Sequence, residues 1–159
     1  QDLHRIPEIG LAEFKTAAYI RNELDQMGIK WEEVCTTGTI AYLDNQKNST
    51  IAFRADIDAL PVTEETDCDF ASTHPGCMHA CGHDAHAANL LGFAAWAKDN
   101  IGALSHNLLL IFQPAEETVG GAKDIVQSGV FDKYNVEKIY GLHISMDLPE
   151  GIFFFFFLP

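Results

Sequence analysis

Apolar and polar positions along this chain recur with two different periods. From residue 11, Leu11, Phe14, Ala18, Leu24 and Met27 fall close to helical spacing, and Gly28 supplies a natural C-terminal stop. The spacing predicts a helix after a lead-in segment, residues 1–10, in which Pro7 fixes the backbone. Residues 29–34 and 39–43 read as strands of a hairpin-like region. Asp44-Asn45-Gln46-Lys47-Asn48 is a turn, and residues 50–54 form a third, more buried strand.

Residues 62–80 show no regular pattern, and an unstructured loop of that length inside a compact domain is usually functional. Over 85–98 the chain is apolar on almost every side, through Ala87, Ala88, Leu90, Leu91, Phe93, Ala94, Ala95 and Trp96. That pattern predicts a buried helix, its positive dipole end at the polar stretch before it. The continuous apolar run 108–112 is that of a central strand covered on both faces. Gly120-Gly121 opens another helix that stops at Gly129, and 136–144 is a last strand with His143 near its end. Strands alternating with helices imply an α/β fold, a largely parallel or mixed central sheet flanked by helices. Phe153–Phe157 reads either as a buried strand or as an aggregation-prone scar.

Charge narrows the function classes. The 159 residues fit one domain, and the formal charge of −13 repels phosphate backbones and anionic membranes. Nucleic-acid and membrane partners are therefore not expected, whereas cations are concentrated. Four cysteines, Cys35, Cys68, Cys77 and Cys81, do not make a disulfide framework at this length. A cysteine that binds metal must stay reduced, which points to a cytoplasmic location.

The candidate chemistry centres on His79-Ala80-Cys81-Gly82-His83-Asp84-Ala85-His86. A thiolate and an imidazole separated by one glycine suit a borderline-soft divalent ion, with Gly82 letting the backbone bend until both face one point. Asp84 is a nearby acceptor for the second ring nitrogen of His83. Asp56 and Asp58, Glu116 and Glu117, and His143 each follow an apolar strand, and sites in open α/β sheets form beyond the carboxyl ends of strands. Four segments thus point to one sheet edge. Adjacent glutamates in extended chain face opposite ways, so one can hold a metal while the other takes a proton from water. The plainer alternatives are an acidic loop at Glu116-Glu117, a capped turn at Asp56 and Asp58, and a structural zinc on Cys77, Cys81, His83 and His79 or His86. His4, His74 and His106 are read as structural or surface residues.

Five motifs in order carry a resemblance: Asp2-Leu3-His4-Arg5-Ile6-Pro7-Glu8, the run 54–61, Met78-His79-Ala80-Cys81-Gly82-His83-Asp84, the run 112–117, and Gly141-Leu142-His143. Together they resemble the metal-dependent N-acyl-amino-acid amidohydrolases, in the branch of hippurate hydrolases, auxin-conjugate hydrolases and N-acetyldiaminopimelate deacetylases, related to aminoacylases and carboxypeptidases. The resemblance implies a catalytic domain of di-metal exopeptidase type and hydrolysis of N-acyl amino acids carrying acetyl, benzoyl or similar groups. A dipeptidase or carboxypeptidase on the same site, or an inactive truncated copy, are the neighbouring readings. It further implies two divalent ions (zinc, manganese, nickel or cobalt) on Cys81, His83, Glu117 and His143. Glu116 would be the general base, and Asp58 would orient a ligand. Family members are longer, with a smaller domain for dimerisation and site closure and a last histidine ligand near the C-terminus. On that likeness residues 1–152 are a partial catalytic domain, 153–159 an atypical tail, and the parent a homodimer.

Overall fold

The computed structural model describes residues 1–118, 120–145 and 147–152, so the Phe-rich run at 153–157 lies outside the described residues. Helix α1 (Phe14–Gln26) starts where Glu8 Oε2 accepts from the Thr16 backbone N–H at 2.9 Å and the Thr16 hydroxyl at 3.0 Å. It ends at Gly28, whose N–H bonds the Asp25 carbonyl while that of Ile29 reaches back to Leu24. Its buried stripe is Thr16, Ala17, Ile20 and Leu24. The helix stands where the spacing predicts it, but Leu11, Phe14 and Ala18 face solvent. The buried face is set by Ile20, which the pattern passed over.

Strands β1 (Trp31–Val34) and β2 (Gly38–Leu43) form the expected hairpin. Strand β3 (Thr50–Asp56) does not pair with β2: strand β4 (Asn107–Gln113) lies between them, antiparallel to β2 and parallel to β3. Strand β5 (Val136–Gly141) pairs with the other side of β3, again in parallel, and the sheet order is β1-β2-β4-β3-β5. The fold is therefore a mixed sheet with helices on both faces, as the alternation of elements implies. Strand β5 ends at Gly141, so His143 lies just beyond the strand rather than within it.

Every residue of β4 is buried. Leu108, Leu110 and Phe112 face a core completed by Ile20 and Leu24 of α1 and by Leu90, Leu91 and Ala94 of helix α2 (His83–Asn100). Leu109 and Ile111 face the other side, under Ile125 of helix α3 (Gly121–Gln127) and Val130 of helix α4 (Val130–Lys133). Full burial of each such aliphatic side chain contributes about 1.5–3 kcal/mol. Helix α2 is one-sided rather than buried all round, since Trp96 is 51% exposed. The helix expected between Gly120-Gly121 and Gly129 is α3, which ends at Gln127, and Gly129, at φ +75°, separates it from the short α4. Among the described residues no helix is long and apolar enough to cross a membrane.

The 62–80 loop has no regular structure but is tied down. Leu60 and Met78 bridge, Glu64 accepts from the Ser72 N–H, and the Thr73 hydroxyl donates to the Arg5 carbonyl.

Candidate metal centre

Because β3, β4 and β5 run parallel, the segments leaving their carboxyl ends emerge at one edge of the sheet. Asp56 and Asp58 come from β3, Glu116 and Glu117 from the turn after β4, and His143 from the segment after β5. The N-terminus of α2 supplies His83, with Cys81 two residues before it. Gly82 turns the chain between them at φ +81°, and a β-carbon there would collide with the Ile144 side chain. The positive φ is what calls for glycine at 82.

His83 is fully buried and sits at the centre. Its Nδ1 lies 3.1 Å from Asp58 Oδ1 and donates to that carboxylate, which leaves Nε2 with a bare lone pair. Nε2 is buried without a hydrogen-bond partner among the described residues. Around it stand Asp56 Oδ2 at 3.7 Å, Glu117 Oε1 at 3.8 Å and Glu116 Oε2 at 4.0 Å. A lone pair facing three carboxylates across a gap too wide for hydrogen bonds is the arrangement a cation relieves. Burial alone would lower the His83 pKa, but the Asp58 hydrogen bond and the Asp56 charge outweigh it and raise it.

Cys81 and His143 form the other side. Their Sγ and Nε2 lie 3.5 Å apart, and His143 Nδ1, 2.6 Å from the Ile144 carbonyl oxygen, donates to it and leaves Nε2 as the acceptor that faces the Cys81 thiol. Burial first, and then the nearby Glu117, push the Cys81 thiol up to about 11, so only a cation would hold it as a thiolate at neutral pH. Ligand atoms of Cys81, His83 and His143 lie within 4.8 Å of one another, as do those of His83, Glu116 and Glu117. The orphaned His83 nitrogen and this mixed S/N/O donor set fit divalent metal. The six residues to which the resemblance gives roles lie together here, with Asp58 beneath, accepting the Glu117 N–H at 2.9 Å as well as holding His83.

Two sequence expectations need correction. Asp84 does not orient His83: it accepts from His4 Nδ1 at 2.8 Å, and the acceptor on His83 is Asp58, 25 residues away. Adjacent helical residues point in different directions, so a neighbour in sequence is a poor partner. Nor do Cys77 and His79 join a ligand group among the described residues. His79 is buried, and burial pushes its pKa down to about 4, so it is neutral. Both nitrogens of His86 are engaged, Nε2 accepting from the Ile144 N–H at 3.0 Å and Nδ1 donating to Asp56 Oδ1 at 2.6 Å, and its ligand group is with Asp56 and His83 rather than with a cysteine. The four-ligand structural-zinc arrangement is thus not formed.

His86 was not singled out as a positioning residue from the sequence, and neither were Arg54, Gln113 and Glu13. Arg54 donates to Asp56 Oδ2 at 2.7 Å and to Gln113 Oε1 at 2.8 Å, so a partly buried polar chain runs beneath the site from β4 through β3 to α2. Burial pushes the Asp56 carboxyl up, but the His86 hydrogen bond and the Arg54 charge outweigh it and hold the group at about 2, below its ordinary 3.8. A depressed carboxyl stabilises the fold above its unfolded-state pKa and loses that contribution as pH falls through the folded one. Metal-free chain should therefore lose stability between pH about 4 and about 2, and Arg54→Met should flatten that limb in urea titrations.

Residues 52–154 match the sequence family described as Peptidase family M20/M25/M40. The chain is 48% identical over 152 residues to an uncharacterized hydrolase of Staphylococcus aureus (strain MRSA252), covering 94% of this chain and 40% of that protein. Among solved structures it is similar to the YXEP protein of Bacillus subtilis, a dinuclear metal-binding peptidase of the M20 family. That match has a TM-score of 0.88 and 41% identity over 93% of this chain and 42% of the other. It is also similar to an aminobenzoyl-glutamate utilization protein of Klebsiella pneumoniae, at TM-score 0.71 and 27% identity over 93% of this chain and 43% of that one. The chain thus spans about 40% of the length of the curated relative it matches.

Proposed function

The chain belongs to Peptidase family M20/M25/M40, and from that premise we propose that its site serves metal-dependent hydrolysis of the amide bond of N-acyl amino acids. The observation that carries this reading is the His83 Nε2, buried and unpartnered among the side chains of Asp56, Glu116 and Glu117. In this reading Cys81, His83, Glu117 and His143 hold a pair of divalent ions. Such ions, when bound, polarise a carbonyl oxygen and make a water acidic.

The remaining work falls to the chain's own groups. Asp58 keeps His83 in the tautomer whose Nε2 faces the ligand gap, and it holds the Glu117 backbone in the same grip. Glu116 differs from its neighbour in being 41% exposed at the side chain while its Oε2 stays 4.0 Å from His83 Nε2. It can reach a water at the rim of the site, take its proton, and return that proton to the amine nitrogen as the C–N bond breaks. Water then ends as the hydroxyl of the released acid and the proton of the released amine.

N-acyl amino acids rather than dipeptides are favoured by the motif resemblance and by likeness to the aminobenzoyl-glutamate utilization protein. Steady-state assays on matched panels, N-acetyl and N-benzoyl amino acids against dipeptides with the same C-terminal residue, test the substrate class. We expect kcat/KM higher by at least about tenfold for the acyl amino acids, a difference of about 1.4 kcal/mol in transition-state binding. Equal or reversed ratios would move the assignment to a dipeptidase.

A further inference from the structure

The turn that delivers Glu116 and Glu117 contains a backbone outlier. Ala115 takes φ +51°, a left-handed conformation that costs a residue with a β-carbon and that persists only where its surroundings over-determine it. Those surroundings are unusually closed. A β-carbon on Gly121 would collide with the Pro114 carbonyl, and one on Gly10 would stand 3.1 Å from Ala115 Cα and 2.6 Å from Thr118 Oγ1.

Into this enclosure reaches Glu13, a carboxylate with no exposed surface. It occupies the position before the first residue of α1, yet its side chain does not cap that helix. Instead Oε1 accepts the Ala115 N–H at 2.8 Å, and Oε2 accepts the Thr37 hydroxyl at 2.6 Å. Burying a carboxylate is costly unless its oxygens are occupied, and here one of them is given to the strained residue that precedes Glu116. On the far side of the pair, Asp58 holds the Glu117 N–H.

We infer that Glu13 is a positioning residue for the metal centre: its buried carboxylate holds Ala115 left-handed and so aims Glu116 and Glu117 at His83 and Cys81. The inference rests on the metal-centre reading of Glu117. Thr37 in turn orients Glu13, so the support for the site begins at the N-terminal end of the chain, 102 residues from Ala115.

Cobalt(II) titration of this 159-residue chain, followed by its thiolate absorption band, tests the assignment without relying on turnover. In Glu13→Gln the amide oxygen still accepts from Ala115 and the amide N–H₂ donates to the Thr37 oxygen, so cobalt affinity should stay within about threefold. In Glu13→Met, similar in volume but without an acceptor, affinity should fall by about 10–100-fold, as when a group that supports a ligand is lost. Adding Ala115→Gly to Glu13→Met should recover part of the loss, because glycine adopts the left-handed turn without help. In wild type, amide exchange at Ala115 should be among the slowest of the loop amides, a measurement that holds even if Glu13→Met does not fold.

A folded Glu13→Met that binds cobalt like wild type overturns the inference. So does a Glu13→Gln as weak as Glu13→Met, a lack of any recovery with Ala115→Gly, or a fast-exchanging Ala115. Cys81→Ser is the separate control. If it keeps wild-type affinity and the thiolate band, the metal-centre reading itself fails, whatever Glu13 does.

Discussion

Glu116→Gln is expected to lower kcat for N-acyl amino acid hydrolysis by about 10²–10⁴-fold while leaving metal content at the wild-type level. The amide has the size of the carboxylate, so packing does not change, but it has no basic oxygen to accept a proton from water. Glu117 remains in place with its Oε1 3.8 Å from His83 Nε2, and Cys81 and His143 keep their 3.5 Å contact. Metal should therefore still bind. The measurement pairs kcat at saturating metal with elemental analysis of the same samples. If kcat and metal content fall together, Glu116 is a ligand and the division of labour between the two glutamates is wrong. If neither moves, the site is not hydrolytic through this residue.

The second large effect is expected at His83. Removing the imidazole by His83→Ala deletes the central nitrogen donor and strips Asp58 of the group its Oδ1 holds at 3.1 Å. Asp58 and Asp56 are each 1% exposed, so the loss leaves buried negative charge short of its partner. Removing the donor from a buried acceptor destabilises by about 1–3 kcal/mol, more where the acceptor is charged, and urea unfolding in the presence of chelator should show a loss of that order. Cobalt binding should be lost with it. His143→Ala makes the contrast: its side chain lies on an exposed segment, so metal affinity should fall while metal-free stability stays within about 0.5 kcal/mol. A His83→Ala chain as stable as wild type would mean that the two carboxylates do not depend on the imidazole.

Which parts of this arrangement could be read along the chain follows from how far apart the interacting residues lie. Periodicity located α1, α2 and β4 within a few residues, because helical spacing and a continuous apolar run are local properties. The same reasoning misassigned the buried face of α1, where Ile20 rather than Phe14 enters the core. It did not anticipate that β4 separates β2 from β3, since strand order depends on which faces pack together and not on the pattern within either strand. At the site, the residue types announced the chemistry: a cysteine and histidine around a glycine, paired carboxylates and a lone histidine after strand ends. Asp84 was the nearest acceptor to His83 in sequence, and the helix turned it instead toward His4.

By itself, the amino-acid order determined the alternation of strands and helices, the net acidity, and the set of side chains able to hold a metal that follow strand ends. The tertiary structure alone decided the strand order, with β4, β3 and β5 as the three parallel neighbours. It also decided that Asp58 serves two partners and that the N-terminal Glu13 governs a turn 102 residues later. The physical reason is that composition and period are written locally. A hydrogen bond between a buried carboxylate and a distant amide exists only once the sheet has brought them together and excluded water.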